Sequence, residues 1–66
     1  MNVVINGKDA SLPHGQTVAE YLASRGLDPQ AVIIERNETI VPRDRWAQLS
    51  LCEGDRLEIV SFVGGG

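Results

Sequence analysis

From Met1 to Asn6 apolar and polar residues nearly alternate, with Met1, Val3 and Ile5 on one side and Asn2, Val4 and Asn6 on the other, the period of a half-buried strand. Asn6-Gly7 supplies two residues that tolerate positive φ, so a tight hairpin turn is expected there, with Asp9 to Leu12 returning antiparallel. After the loop Pro13-His14-Gly15-Gln16 the spacing changes. Thr17 and Glu20 stand three apart, the arrangement of a helix N-cap and its reciprocal partner. Val18, Tyr21 and Leu22 then form the apolar stripe of a helix whose Glu20 and Ser24 face water. Gly26 ends it at a left-handed C′ position, and Pro29 forbids its continuation.

Ala31 to Glu35 is β-branched and apolar enough for a strand, Arg36-Asn37-Glu38 is a turn, and Thr39 to Val41 is a short strand closed by Pro42. Between Arg43 and Leu51 neither period is sustained, which predicts an irregular or single-turn segment fixed by Trp46 and Leu49. Glu53-Gly54-Asp55 is a turn, and Arg56 to Phe62 alternates again, Leu57, Ile59 and Ser61 opposing Arg56, Glu58, Val60 and Phe62. This order implies an α+β domain over residues 1–63, one main helix packed across one face of a small mixed sheet, with the last strand parallel to the first and the helix as the crossover. That is a β-grasp arrangement. Val4, Val60 and Phe62 fall on the face away from the helix, and pairing of the first and last strands is expected to bring Val4 near Val60 or Phe62. With Val63 at the root of the tail, these residues form a candidate partner-docking patch.

Composition narrows the function. A chain of 66 residues makes one domain with no room for a deep substrate pocket, and its apolar content of 42% suits a folded body. A net charge of -3 argues against nucleic acid, since phosphate neutralisation needs clustered cations and only Arg43 and Arg45 lie close together; beside Asp44 they read as a solvated turn. The N-terminus has no basic stretch followed by a long apolar run, and no segment is apolar enough to span a bilayer, so a cytoplasmic protein is expected. Cys52 is single, without a neighbouring base, and reads as packing. No Cys/His spacing points to a metal. His14 has no catalytic partner at a recognisable spacing, and Trp46 is worth most as core.

The remaining feature is the ending, Gly64-Gly65-Gly66, expected to be a flexible tail. Three residues without Cβ atoms make the thinnest peptide, able to thread a narrow channel and present the Gly66 carboxylate to another protein. Such a carboxylate, with a pKa of about 3.5, is an anion at neutral pH and a poor electrophile. Transfer to the α-phosphate of ATP would make an acyl-adenylate with a good leaving group, open to a sulfur nucleophile. The chain has no P-loop or other nucleotide-binding glycine pattern. It therefore reads as a substrate and not an enzyme, with no bound cofactor and with ATP consumed by the partner.

Asn6-Gly7, Thr17-Val18 with Glu20 and Leu22, Ile40-Val41-Pro42-Arg43 with Trp46, Gly54-Asp55 with Leu57-Glu58-Ile59-Val60, and the terminal glycines together resemble the ThiS family, the ubiquitin-like sulfur carriers of the thiamine pathway. The likeness spans the whole chain. It implies that Gly66 is adenylated by an E1-like activating enzyme, converted to a thiocarboxylate with sulfur from a persulfide-bearing donor protein, and presented to thiazole synthase. Two departures stand out: three terminal glycines where the family commonly has two, and Arg36-Asn37-Glu38 where it commonly has Asn-Gly, a change expected to alter only a surface turn. Three other readings stay open. They are a sulfur carrier for molybdopterin synthesis, a ubiquitin-type modifier joined through Gly66 to a lysine amine, and a plain β-grasp interaction module whose glycines are incidental.

Overall fold

The computed structural model describes residues 1–62. Its elements are β1 (Asn2–Ile5), β2 (Lys8–Ser11), α1 (Val18–Ser24), a 3-10 turn (Pro29–Ala31), β3 (Val32–Arg36), β4 (Thr39–Ile40), a second 3-10 turn (Arg43–Arg45) and β5 (Arg56–Ser61). The five strands lie in the order β2-β1-β5-β3-β4. β1 runs parallel to β5, while β1 with β2, β3 with β4 and β3 with β5 are antiparallel. This is the β-grasp arrangement implied by the sequence, with the C-terminal strand at the centre of the sheet.

Local chemistry explains the helix at both ends. Thr17 Oγ1 accepts from Glu20 N–H at 3.1 Å while Glu20 Oε1 accepts from Thr17 N–H at 2.9 Å, closing the capping box. The first two helical N–H groups are met from the segment with no clear period: Val18 N–H donates to Leu49 O (3.1 Å) and Ala19 N–H to Trp46 O (3.0 Å). At the other end Leu27 N–H donates to Leu22 O (3.0 Å) and Gly26 N–H to Ala23 O (3.1 Å), with Gly26 at φ +67°. The stripe of Val18, Tyr21 and Leu22 is buried against Val32, Ile34, Trp46, Leu51 and Leu57. Trp46 is core, as expected, and its indole N–H is satisfied by Val41 O at 3.0 Å.

Several expectations need correction. Cys52 is exposed and does not pack in the core; its backbone N–H donates to Asp55 Oδ2 at 2.8 Å and its thiol lies 3.9 Å from Ser50 O. Arg43 is more than a solvated turn residue. Its guanidinium donates to Pro29 O (2.9 Å) and Val32 O (3.1 Å) and lies 5.2 Å from the Trp46 ring centre, stitching the 3-10 turn onto the start of β3. The turn at Pro29–Ala31, capped by Asp28 Oδ1 accepting from Gln30 N–H at 2.9 Å, displaces the start of β3 to Val32. β5 ends at Ser61 and not at Phe62.

The β3–β4 connection is also more than a surface feature. Asn37 and Glu38 both take positive φ, +51° and +72°, the requirement of a primed hairpin turn. A glutamate held in the left-handed region is strained by about 1 kcal/mol. Glu38→Gly is therefore expected to stabilise the domain by about 1 kcal/mol, raising the thermal midpoint by roughly 4–8 °C in calorimetry.

Candidate functional site

Residues 63–66, which carry the candidate Gly66, follow β5 in the sequence, so the candidate site among the described residues is that strand, what holds it, and the surface beside its end. On one side, Val4 N–H donates to Asp55 O and Asn6 N–H to Leu57 O, each at 2.9 Å. Two turn asparagines then extend the pairing beyond the neighbouring strands. Asn6 Oδ1 accepts from Ile59 N–H at 2.7 Å and Asn6 Nδ2 donates to Ile59 O at 3.3 Å. Asn37 N–H donates to Arg56 O at 2.7 Å, and Asn37 Oδ1 accepts from Arg56 N–H at 2.9 Å. β5 is thus gripped from both flanks by side chains whose backbone already sits in the turns.

The start of β5 is fixed by Asp55, which is buried and charged. Its carboxylate accepts from Arg36 Nε (2.9 Å), Asn37 Nδ2 (3.2 Å) and Cys52 N–H (2.8 Å). Burial pushes this carboxyl upward, but the backbone N–H of Cys52, the Arg36 guanidinium and the Asn37 amide outweigh it and hold it below the usual carboxylate range. Reciprocally, the hydrogen bond to Asp55 raises the Arg36 guanidinium above its ordinary value. Arg36 and Asn37, which the sequence places in a turn, are the two side chains that make this buried charge tolerable.

The face opposite α1 carries an apolar cluster near the end of β5. Val60 (54% exposed) pairs directly across from Ile33 (44%), Phe62 (43%) follows two residues on, and Ile40 (62%) stands diagonally across β3 by its pairing with Glu35. Val4 does not belong to this cluster. Its partner on β5 is Arg56, which leaves it four residues short of Val60 along the strand, half-buried towards the other end of the face. Glu35 and Glu58, paired across β3 and β5, separate the two regions. Ile33 and Ile40 were not singled out by the sequence: an uninterrupted Val32-Ile33-Ile34 run does not disclose which residue faces out until the β3–β5 register is known. Val63, Gly64, Gly65 and Gly66 lie outside the described residues. Among the described residues no group of three or more His, Cys, Asp or Glu is placed to hold a metal ion, and no helix is long and apolar enough to cross a membrane.

Comparison with known proteins adds four findings. A model of the ThiS family matches residues 3–66. The sulfur carrier protein ThiS of Bacillus subtilis is 43% identical over 63 residues, covering 94% of this chain and 96% of its own. A thiazole synthase of Paramagnetospirillum magneticum is 44% identical over 66 residues, all of this chain, but the chain spans only 20% of that longer protein. Among solved structures, the crystal structure of the thiamine biosynthesis protein ThiS from Geobacter metallireducens superimposes with a TM-score of 0.85 at 28% identity, each chain covered in full.

Proposed function

Because this chain belongs to the ThiS family, we propose that it is a sulfur carrier of thiamine biosynthesis whose working group is the Gly66 carboxylate. It is a carrier and not an enzyme, in keeping with the name of its full-length Bacillus relative. In this reading an E1-like enzyme binds ATP, the Gly66 carboxylate attacks the α-phosphorus, and pyrophosphate leaves. The terminal sulfur of a persulfide-bearing donor then attacks the acyl carbon and AMP leaves, and a thiol cleaves the S–S bond of the acyl disulfide so formed, freeing the Gly66 thiocarboxylate and leaving the donor's remaining sulfur in a disulfide with that thiol. The resulting thiocarboxylate donates its sulfur at thiazole synthase. The body contributes no reacting side chain in this scheme; it contributes a firmly held strand from which the tail extends and a face for the partner to grip. The observation that carries the reading is the family match through residues 3–66, which takes in the whole glycine run.

The test is to incubate the chain with ATP, its host's adenylating enzyme and a persulfide donor and to weigh it intact. A gain equal to the difference between sulfur and oxygen is expected. An unchanged mass overturns the proposal, and a chain found joined to another protein points to a modifier instead. The cluster of Ile33, Val60 and Phe62 supports a docking role at the root of the tail. Val60→Asp or Phe62→Asp is expected to raise the KM for the carrier in adenylation by about tenfold or more, with little change in thermal midpoint because both side chains are already exposed. Unchanged kinetics in both variants would remove the cluster from the interface.

A further inference from the structure

β1 and β5 lie side by side only as far as the first hairpin. Asn6 N–H donates to Leu57 O at 2.9 Å, after which the main chain turns away into β2 and the Asn6 side chain supplies one more rung, at Ile59. Along β5 the odd-numbered residues aim their N–H and C=O groups towards β1. The even-numbered ones aim towards β3, as Arg56 does with Asn37 and Phe62 N–H with Ala31 O at 2.9 Å. Ser61 is therefore the next rung on the β1 side, and no hydrogen bond joins it there to any of the described residues. It is exposed and, beside the lane that β1 vacates, joins Ile59 and Asn6 at the end of an open groove that continues between the first hairpin and α1, past Lys8, Asp9, Arg25 and Leu27.

We propose that this vacated lane receives an extended segment of thiazole synthase, which pairs its main chain with Ser61 N–H and C=O beside the last rung held by Asn6. The inference rests on the reading of Gly66 as the end delivered to that enzyme. Four residues, 63–66, follow Phe62, a reach of about 13 Å when extended, so a partner that closes on the last residue must bring its own chain alongside the end of β5. Lys8 and Arg25, set against the single carboxylate of Asp9, leave the groove lining net positive and favour an acidic side chain on the incoming segment. The Paramagnetospirillum relative, named a thiazole synthase, carries a region like this chain within one polypeptide. Strand addition draws its affinity from main-chain hydrogen bonds, which is what an open rung offers.

Ser61→Pro tests this, because proline removes the N–H that faces the lane while Val60 keeps its pairing with β3 and Phe62 its bond to Ala31 just before it. In calorimetric titration with purified thiazole synthase, wild type and Ser61→Ala are expected to bind alike and Ser61→Pro at least about tenfold more weakly, at an unchanged thermal midpoint. Equal binding by a folded Ser61→Pro overturns the inference. Amide exchange on the wild-type chain decides the matter even if that variant does not fold. Ser61 N–H should exchange fast when free and slow by at least about tenfold when thiazole synthase is added; protection already present in the free chain, or none in the complex, overturns it. Failure of the wild type to bind thiazole synthase at all would count against the proposed function, and so against this inference with it, whereas equal binding by wild type and Ser61→Pro counts against the lane alone.

Discussion

Deleting Gly65 and Gly66 is expected to lower kcat/KM for adenylation by at least about a hundredfold and to leave no detectable thiocarboxylate by intact-protein mass measurement, at an unchanged thermal midpoint. The deletion preserves a free carboxylate and retains Gly64 at the end. What changes is reach: two residues withdraw the reacting carbon by about 7 Å, where a misplacement of about 1 Å at a reacting centre already costs on the order of a hundredfold. The core contains Val18, Leu22, Val32, Ile34, Trp46, Leu51 and Leu57, none of them near the end of the sequence, so folding should not register the loss. A truncated chain adenylated at the full rate would place the chemistry elsewhere.

The second large effect is on stability. Asp55→Ala removes the acceptor shared by Arg36, Asn37 and the Cys52 N–H, and is expected to cost about 3 kcal/mol. For a domain whose total stability is about 5 kcal/mol, that is most of it. Asp55→Asn keeps the volume but loses the charge opposite Arg36, and should fall between the two. The carboxyl has a folded pKa below its unfolded value, so the native state binds fewer protons than the unfolded one as pH falls. Its contribution is complete above about pH 4 and is lost as pH drops through the lower folded pKa. Urea midpoints followed from about pH 7 to about pH 2 should show that acid limb in the wild type and its loss in Asp55→Asn. A limb equally steep in both would assign acid unfolding to other carboxylates.

How much of this could be read from the chain alone follows from the range of each interaction. The Asn6-Gly7 turn, the Thr17/Glu20 capping box and the Gly26 stop are decided within a few residues, and they stand where the sequence put them. The parallel pairing of the first and last strands was also legible, because a helix between them leaves few alternatives. Its register was not. Whether Val4 faces Arg56 or Val60 depends on how far β5 slides along β1, which no local pattern encodes, and the same uncertainty concealed Ile33 opposite Val60. Nor does the sequence show that Cys52 is exposed in a turn whose carboxylate, three residues on, is itself held by Arg36 from another hairpin. Asn6 and Asn37 look in the sequence like turn formers and nothing more; their reach into β5 appears only when three strands are assembled. The Gly66 assignment came from composition and resemblance.

The central position of β5 also bears on mechanics. Tension applied at its end runs along a strand bonded to β1 on one side and to β3 on the other, so the rungs at Asp55, Leu57 and Ile59 are strained together in shear instead of opening one after another like a zipper. Because β1 lies parallel beside it, a pull between the two chain ends meets the same resistance. A partner can therefore tug on the tail without unravelling the body that carries it.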